Sequence, residues 1–269
     1  MSDITVIDDS EQSSLVTNGL AKNGEMYLKK EGSTDAGSIV VYDSGVWKGF
    51  ANDASASFSN DYSLSLDGTN DYATLDSTYS SLSGNKSISG WFYFDNVRTR
   101  TIFAPASATS YQHQGWFILN ASSIRFKAGT TLHTFTVPSL STGAWYHLAV
   151  TGDGTDLKLY INGTQQGGTK ADGDWSIGAF FRTHTYYYFD GKVDEIGLWT
   201  GTTLSSSDIT SIYNSGGDTG DKAIDLSSIS GLTHWWRFGD GDSSSTVSDN
   251  VGSNDITLLN GPTFVSETP

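Results

Sequence analysis

The stretch GAWYHLAVTGDGTDLKLYINGTQQGG, residues 143–168, decides the fold. Trp145 to Thr151 is an aromatic and β-branched run, and Asp156 to Ile161 alternates strictly. Successive side chains of a strand face opposite sides, so Leu157, Leu159 and Ile161 point one way and Lys158 and Tyr160 the other. Gly152-Asp153-Gly154 supplies the turn between the two runs, and Asn162-Gly163 closes the second with the strongest short-range hairpin signal. The reading is a β-hairpin with one buried face.

Three further stretches stand around it in a telling order: SLSLDGTNDYATL (63–75), SISGWFYF (87–94) and FDGKVDEIGLWTGTTLSSSDITSIYNSG (189–216). With the hairpin they resemble the laminin-G-like, or concanavalin A-like, jelly-roll domains. They correspond to the opening strand, the first core strand, and the closing strand with its short helix. The resemblance covers about residues 57–216 and implies an all-β, two-sheet antiparallel jelly-roll sandwich. No motif within it is catalytic. The core is expected to draw on Leu64, Leu66, Ile88, Phe92, Phe94, Leu157, Leu159 and Ile161.

Composition sets outer bounds. The 269 residues suit one large β domain with a smaller attached piece. We read no signal segment and no membrane-length apolar run, which points to a cytoplasmic product or one released by lysis or a dedicated export route. With no cysteine, the core alone must hold the fold. The formal charge of −15 argues against nucleic acid and anionic membranes, whose recognition rests on Lys and Arg. The acid is mostly Asp, alongside much Gly, Ser and Thr, which is turn chemistry for many short strands.

Ahead of the sandwich, EMYLKK, SIVVYD and VWKGF read as three strands of a small β module within residues 1–56, too small to stand alone in water. The main domain is expected over 57–269. TIFAPA, GWFILNA, SIRFKA, TLHTFTV and WSIGAFF add short strands at the spacing of a sandwich. One helix is expected at Ser205–Asn214, capped by Ser205 with Asp208 at the third position, with Ile209, Ile212 and Tyr213 on one face. The tail, GLTHWWRFGDGDSSSTVSDNVGSNDITLLNGPTFV, resembles the segment that usually opens such domains. It is expected to return to the sandwich as edge strands, because a truncated second copy could not bury its tryptophans.

Catalytic patterns are poor. A glycosidase needs two carboxylates flanking the bond, and among the glutamates only Glu195 sits in a core strand. No Gly-x-Ser-x-Gly elbow or phosphate loop occurs, and His113, His133, His147, His184 and His234 lie singly. Asp194 alternates onto the side of Ile196 and Leu198, so a carboxylate is expected in the interior, where it must be paired, neutralised or metal-bound. The resemblance implies a structural calcium ion near the acidic turns, with Asp67, Asp71 and Asp194 as its candidates; the alternative is that these carboxylates cap turn N–H groups. Two polar–aromatic stretches suit sugar stacking or interface anchoring: Tyr111, His113 and Trp116 in one, His184, Tyr186 and Tyr188 in the other. A period of two buries Tyr187 and Phe189.

The functional expectation is a non-enzymatic structural protein of a virus particle, displaying a lectin-like sandwich as decoration, fibre or adhesin. MYLKKEGSTDAGSIVVYDSGVWKGFAN is similar to the short β modules by which phage fibre and decoration proteins attach. The implied partners are other virion proteins through that module, a host-surface glycan, and further copies of the chain. An exported bacterial carbohydrate-binding module is the alternative, with an extracellular location; a glycoside hydrolase is the third reading.

Overall fold

The computed structural model describes residues 58–106, 115–183, 186–214 and 223–269, together with the backbone of four strands nearer the N-terminus. Contacts divide the chain into two units, Met1–Ser59 and Asn60–Pro269. In the first, β1 (Thr5–Ile7), β2 (Met26–Lys29), β3 (Ile39–Asp43) and β4 (Val46–Phe50) form one sheet in that order. β2, β3 and β4 are the three expected antiparallel strands, and β1 joins them in parallel from a stretch without periodicity.

The second unit opens with β5 (Ser63–Asp67), β6 (Tyr72–Leu82), β7 (Lys86–Phe94) and β8 (Arg100–Ala104). Then come β9 (Trp116–Asn120), β10 (Ser123–Ala128), β11 (Thr131–Thr136), β12 (Trp145–Gly152) and β13 (Asp156–Ile161). β14 (Thr164–Ala171), β15 (Trp175–Phe180) and β16 (Asp190–Thr200) lead to the helix α1 (Ser206–Asn214). The tail adds β17 (His234–Trp236), β18 (Thr246–Val247), β19 (Ile256–Leu259) and β20 (Thr263–Val265).

These strands make two antiparallel sheets. The first has the order β14-β13-β12-β7-β16-β5-β20, with β17 beside β16; the second has the order β11-β10-β9-β8-β15-β6-β19-β18. The tail therefore does return to the sandwich, placing β20 at one sheet's edge and β18 and β19 at the other's. Between the sheets lies one apolar core, which includes all eight residues expected there. Edge-to-face rings such as Phe126 on Trp175 and Phe103 on Phe126 fill it.

The deciding hairpin forms as its residues dictate. β12 pairs with β13 from Leu148↔Ile161 to Gly152↔Leu157. The Asp153 carboxylate accepts the N–H groups of Thr155 and Asp156, holding the first turn. Asn162 and Gly163 both adopt positive φ, 48° and 76°, which is what a tight mirror-image turn requires. That turn launches β14, a strand not foreseen in TQQGGTKA because its residues are polar and glycine-rich.

On the outer side of the first sheet a second apolar layer forms beneath α1. Ile209 and Ile212 of the helix are buried there, with Trp91, Trp199, Leu204 and Leu226. The cap is reciprocal: Asp208 N–H donates to Ser205 Oγ at 3.2 Å, and Ser205 N–H donates to the Asp208 carboxylate at 2.8 Å. Ser215-Gly216-Gly217, which the sequence predicts to stop the helix, lies outside the described residues.

Candidate functional site

The expected aromatic sites do not assemble into one surface among the described residues. Trp116 is wholly buried, contacting Phe92 and Phe103, so it is a core residue and not a ligand contact. The reason lies in the GWF doublet: a strand sends one aromatic to each face, and here Trp116 and Ile118 face inward. Tyr111, His113 and His184 lie outside the described residues. Tyr186 is 39 % exposed and Tyr188 half-buried, while Phe189 is buried as expected. Tyr187 is half-buried, not buried: the chain leaves strand geometry there, at φ 55°, and β16 begins only at Asp190.

The acidic residues also separate into two places. Asp67 Oδ1 accepts the N–H of Thr69 at 2.8 Å, and Asp71 Oδ2 accepts the N–H of Asp67 at 3.1 Å, so both cap their own turn. Burial raises the Asp71 carboxyl above its ordinary value. Asp67 pairs in register with Asp190, four residues before Asp194, so Asp194 stands about 13 Å along the strand from that turn. Among the described residues no group of three His, Asp or Glu is placed to hold a metal ion.

Asp194 is buried, but not in the inter-sheet core. A bulge between Asp194 and Gly197 puts Glu195 at φ 50° and shifts the alternation by one residue. Val193, Ile196 and Leu198 enter the core, while Asp194 pairs with Trp91 and shares its outward side, beneath the second apolar layer. Asn60 Nδ2 donates to Asp194 Oδ2 at 2.8 Å. Glu195 takes the indole N–H of Trp235 and Arg237 Nε at 3.1 Å. Arg237 also reaches Asp240 at 3.2 Å, and Asp240 accepts the Asp61 N–H. Burial pushes Asp194 well above the carboxylate range and Glu195 up to about 8. Two carboxylates, Glu195 and Asp240, share the Arg237 guanidinium, and with the Asn60–Asp194 bond they hold residues 60–61 and 235–240 against β16.

A second polar lock fixes the tail. Tyr79 Oη lies 2.5 Å from His234 Nε2, and His234 Nδ1 lies 2.5 Å from Asp249 Oδ2. Burial works to raise the Asp249 carboxyl, but His234 and the N–H groups of Asn254, Gly252 and Trp235 outweigh it and hold it below the ordinary range. Burial raises the Tyr79 hydroxyl, so the tyrosine stays protonated and is no activated nucleophile.

A concavity lies elsewhere, on the outer side of the second sheet. A cleft of about 240 Å³ opens between Ser80 of β6, Ser176 of β15 and Lys127 of β10. Pro105 and Gly115, from the β8–β9 connection, and Gly129 and Asp174 complete its wall. Ser176 sits between the core residues Trp175 and Ile177, and Lys127 between Phe126 and Ala128, so alternation turns both outward. Asp174 is held by Gly129 N–H on its carbonyl at 2.7 Å and by the Ser81 hydroxyl on its carboxylate. Lys127 pairs with no carboxylate among the described residues. Among the described residues the lining thus offers an ammonium, a carboxylate and two hydroxyls, and no aromatic ring. No short motif announces it, because its residues come from separate connections; only the outward Lys127 and Ser176 of two alternating strands were legible.

Among solved structures, the native heptameric SAP-like pentraxin of Limulus polyphemus superposes with a TM-score of 0.53 at 12 % identity, over 77 % of this chain and 96 % of that one. A putative carbohydrate-binding protein from Bacteroides ovatus superposes at 0.56 and 17 % identity, over 91 % of this chain and 70 % of that one. At such identities the likeness is one of fold. No curated protein matches the sequence. A family profile described as the concanavalin A-like lectin/glucanases superfamily matches residues 67–210, more than half of the 269. The stretch it spans runs from the opening acidic turn through the deciding hairpin and into α1, and the chain belongs to that superfamily.

Proposed function

We propose that the sandwich is a non-enzymatic binding module for a hydroxyl-rich ligand, a glycan of a host surface, carried on the outside of a bacteriophage particle by the N-terminal unit. The observation that carries the binding reading is the cleft. Its ammonium, carboxylate and hydroxyls are donors and acceptors matched to sugar hydroxyls, and they stand on a rigid sheet. The superfamily's lectin members and the carbohydrate-binding description of the Bacteroides ovatus neighbour support the same class of ligand.

Hydrolysis fits poorly. The cleft holds one carboxylate, Asp174, where glycoside cleavage needs two about 5–10 Å apart. The adjacent pair with raised pKa values, Asp194 and Glu195, is fully buried and engaged by Asn60, Arg237 and Trp235. The virion reading rests on the division into two units and on avidity. One small polar cleft binds weakly, and display in many copies raises the effective affinity by orders of magnitude.

Two experiments test the reading. A glycan array with the whole chain should give signals that fall when Lys127→Met or Asp174→Asn is introduced. Deletion of residues 1–56 should abolish incorporation into particles. Incorporation without them would end the docking role, and an array without signal would end the glycan reading.

A further inference from the structure

We propose that Asn260 is a site of spontaneous covalent modification, where the side-chain amide cyclises onto the Gly261 nitrogen, loses ammonia and becomes aspartate or isoaspartate. An asparagine followed by glycine favours this reaction, because no Cβ shields the attacking nitrogen. Two such pairs occur among the described residues, Asn162-Gly163 and Asn260-Gly261, and the fold treats them oppositely. Asn260-Gly261 begins the connection between β19 and β20, by which the chain crosses from the second sheet to the first. Both residues are exposed. A Cβ built on Gly261 would meet no atom within 4 Å, and the Gly261 N–H reaches no acceptor among the described residues. One bond restrains the side chain, Asn260 Nδ2 donating to the Asn70 carbonyl at 2.8 Å, and it too is exposed. Asn162, in contrast, is held. Its Oδ1 accepts the His147 N–H at 2.9 Å, and its own N–H donates to the His147 carbonyl at 2.8 Å. Thr210 and Tyr213 of α1 lie over Gly163, where a Cβ would come 3.2 Å from the Tyr213 ring. To carry its Cγ onto the Gly163 nitrogen, Asn162 must abandon the His147 N–H in a half-buried place.

The step needs water alone. The Gly261 nitrogen gives its proton to hydroxide and bonds to Asn260 Cγ; the Cγ–Nδ2 bond breaks, and ammonia leaves with a proton from water. Water then opens the imide ring, at Cγ to leave aspartate or at the backbone carbonyl carbon to leave isoaspartate. Either product sets a carboxylate where an amide donated to the Asn70 carbonyl, beside a turn that already carries Asp67 and Asp71. An acceptor facing an acceptor loosens the connection. β20, a three-residue strand at the sheet's edge, is the element that frays.

The full-length protein, kept at mildly alkaline and at mildly acid pH, is mapped by peptide mass spectrometry with isoaspartyl methyltransferase labelling. Conversion should be faster in base and about tenfold or more faster at Asn260 than at Asn162. Hydrogen exchange over Thr263–Val265 should quicken several-fold in the aged protein, and Asn260→Asp should show that quickening from the start. Asn260→Gln, whose amide needs a larger ring to cyclise, should stay unconverted after the same incubation and keep the slow exchange. No conversion at Asn260, or conversion at Asn162 as fast or faster, would overturn the proposal. Protein converted at Asn260 yet exchanging at the fresh rate would overturn the loosening of β20.

Discussion

Lys86 is a fully buried lysine, and the sandwich should lose much of its stability if its partner is removed. Its ammonium meets Asp172 Oδ2 at 2.6 Å, donates to the Gly84 carbonyl at 2.9 Å and lies 4.9 Å from the Trp175 ring centre. Asp172 in turn accepts the Trp175 indole N–H at 3.0 Å and the Gly154 N–H at 2.9 Å. Both side chains are 0 % exposed. The pair ties the start of β7 to the connection by which the chain passes from β14 in the same sheet to β15 in the other, and the Trp175 indole N–H on Asp172 extends the tie to β15.

Breaking such a pair from one side leaves an uncompensated charge in a dry site, at a cost of about 3–5 kcal/mol, whereas replacing both partners by neutral groups is often close to neutral. Asp172→Asn and Lys86→Met should each destabilise by about 3–5 kcal/mol. For a unit of this size that lowers the melting midpoint by roughly 6–20 °C, at 2–4 °C per kcal/mol. The double variant should recover most of the loss, giving a coupling energy of about 3 kcal/mol or more. Urea unfolding followed by tryptophan fluorescence reads all four corners of the cycle. Added salt should barely change the coupling, because a buried pair is poorly screened. Single variants each costing under about 1 kcal/mol, with an additive double, would be the behaviour of an exposed pair and would refute the reasoning.

Other outcomes follow from the same structure. Stability should peak in mildly acid solution: Glu195, pushed up to about 8, binds its proton more tightly in the fold, so its contribution is lost as pH rises toward 8. His147, buried and pushed down to about 3, is held neutral, so stability is lost on the acid side as the unfolded chain takes up a proton below its ordinary value. Glu195→Gln should flatten the alkaline limb of a pH-resolved melt; an unchanged limb would count against the buried cluster. EDTA should leave the midpoint unmoved, since Asp67 and Asp71 already serve turn N–H groups and Asp194 stands apart from them; a fall on chelation would restore the calcium ion. Gly115→Ala should cost about 1–3 kcal/mol by forcing φ 121° on a residue with a Cβ, and glycan binding should go with it; an unaffected variant would mean that the β8–β9 connection moves freely.

The fold was legible where the signal was local. The hairpin at 145–161 carries its alternation and both turns within its own residues, and Ser205 with Asp208 carries a complete cap, so neighbours were not needed to read them. Distant partners decided the rest. Strict alternation places Asp194 in the core, and one inserted residue, Glu195, reverses that. What holds the bulge is the grip of Trp235 and Arg237 on Glu195, some forty positions away in the chain. Trp116 and Phe117 are equal candidates for the inside until β8 and β10 are known to flank them.

The candidate site fails to show in the sequence for a related reason, and that reason bears on its function. Sandwich strands spend their alternation on a shared core, so their pattern reports the inward residues and says nothing about which outward ones converge. Ser80, Lys127, Asp174 and Ser176 meet because β15 lies beside β6 on one side and near the ends of β8 and β10 on the other. Of the expected aromatic contacts that are described, Trp116 fills the core, and Tyr186 and Tyr188 stand at the opposite end of β8 from Pro105, where Thr101 N–H bonds the Tyr187 carbonyl. On the proposed reading, a cleft whose described lining carries one ammonium and one carboxylate set apart would select by the arrangement of hydroxyls. Its specificity should therefore change with Lys127 and Asp174 while the fold, carried by the inward faces, stays as it is.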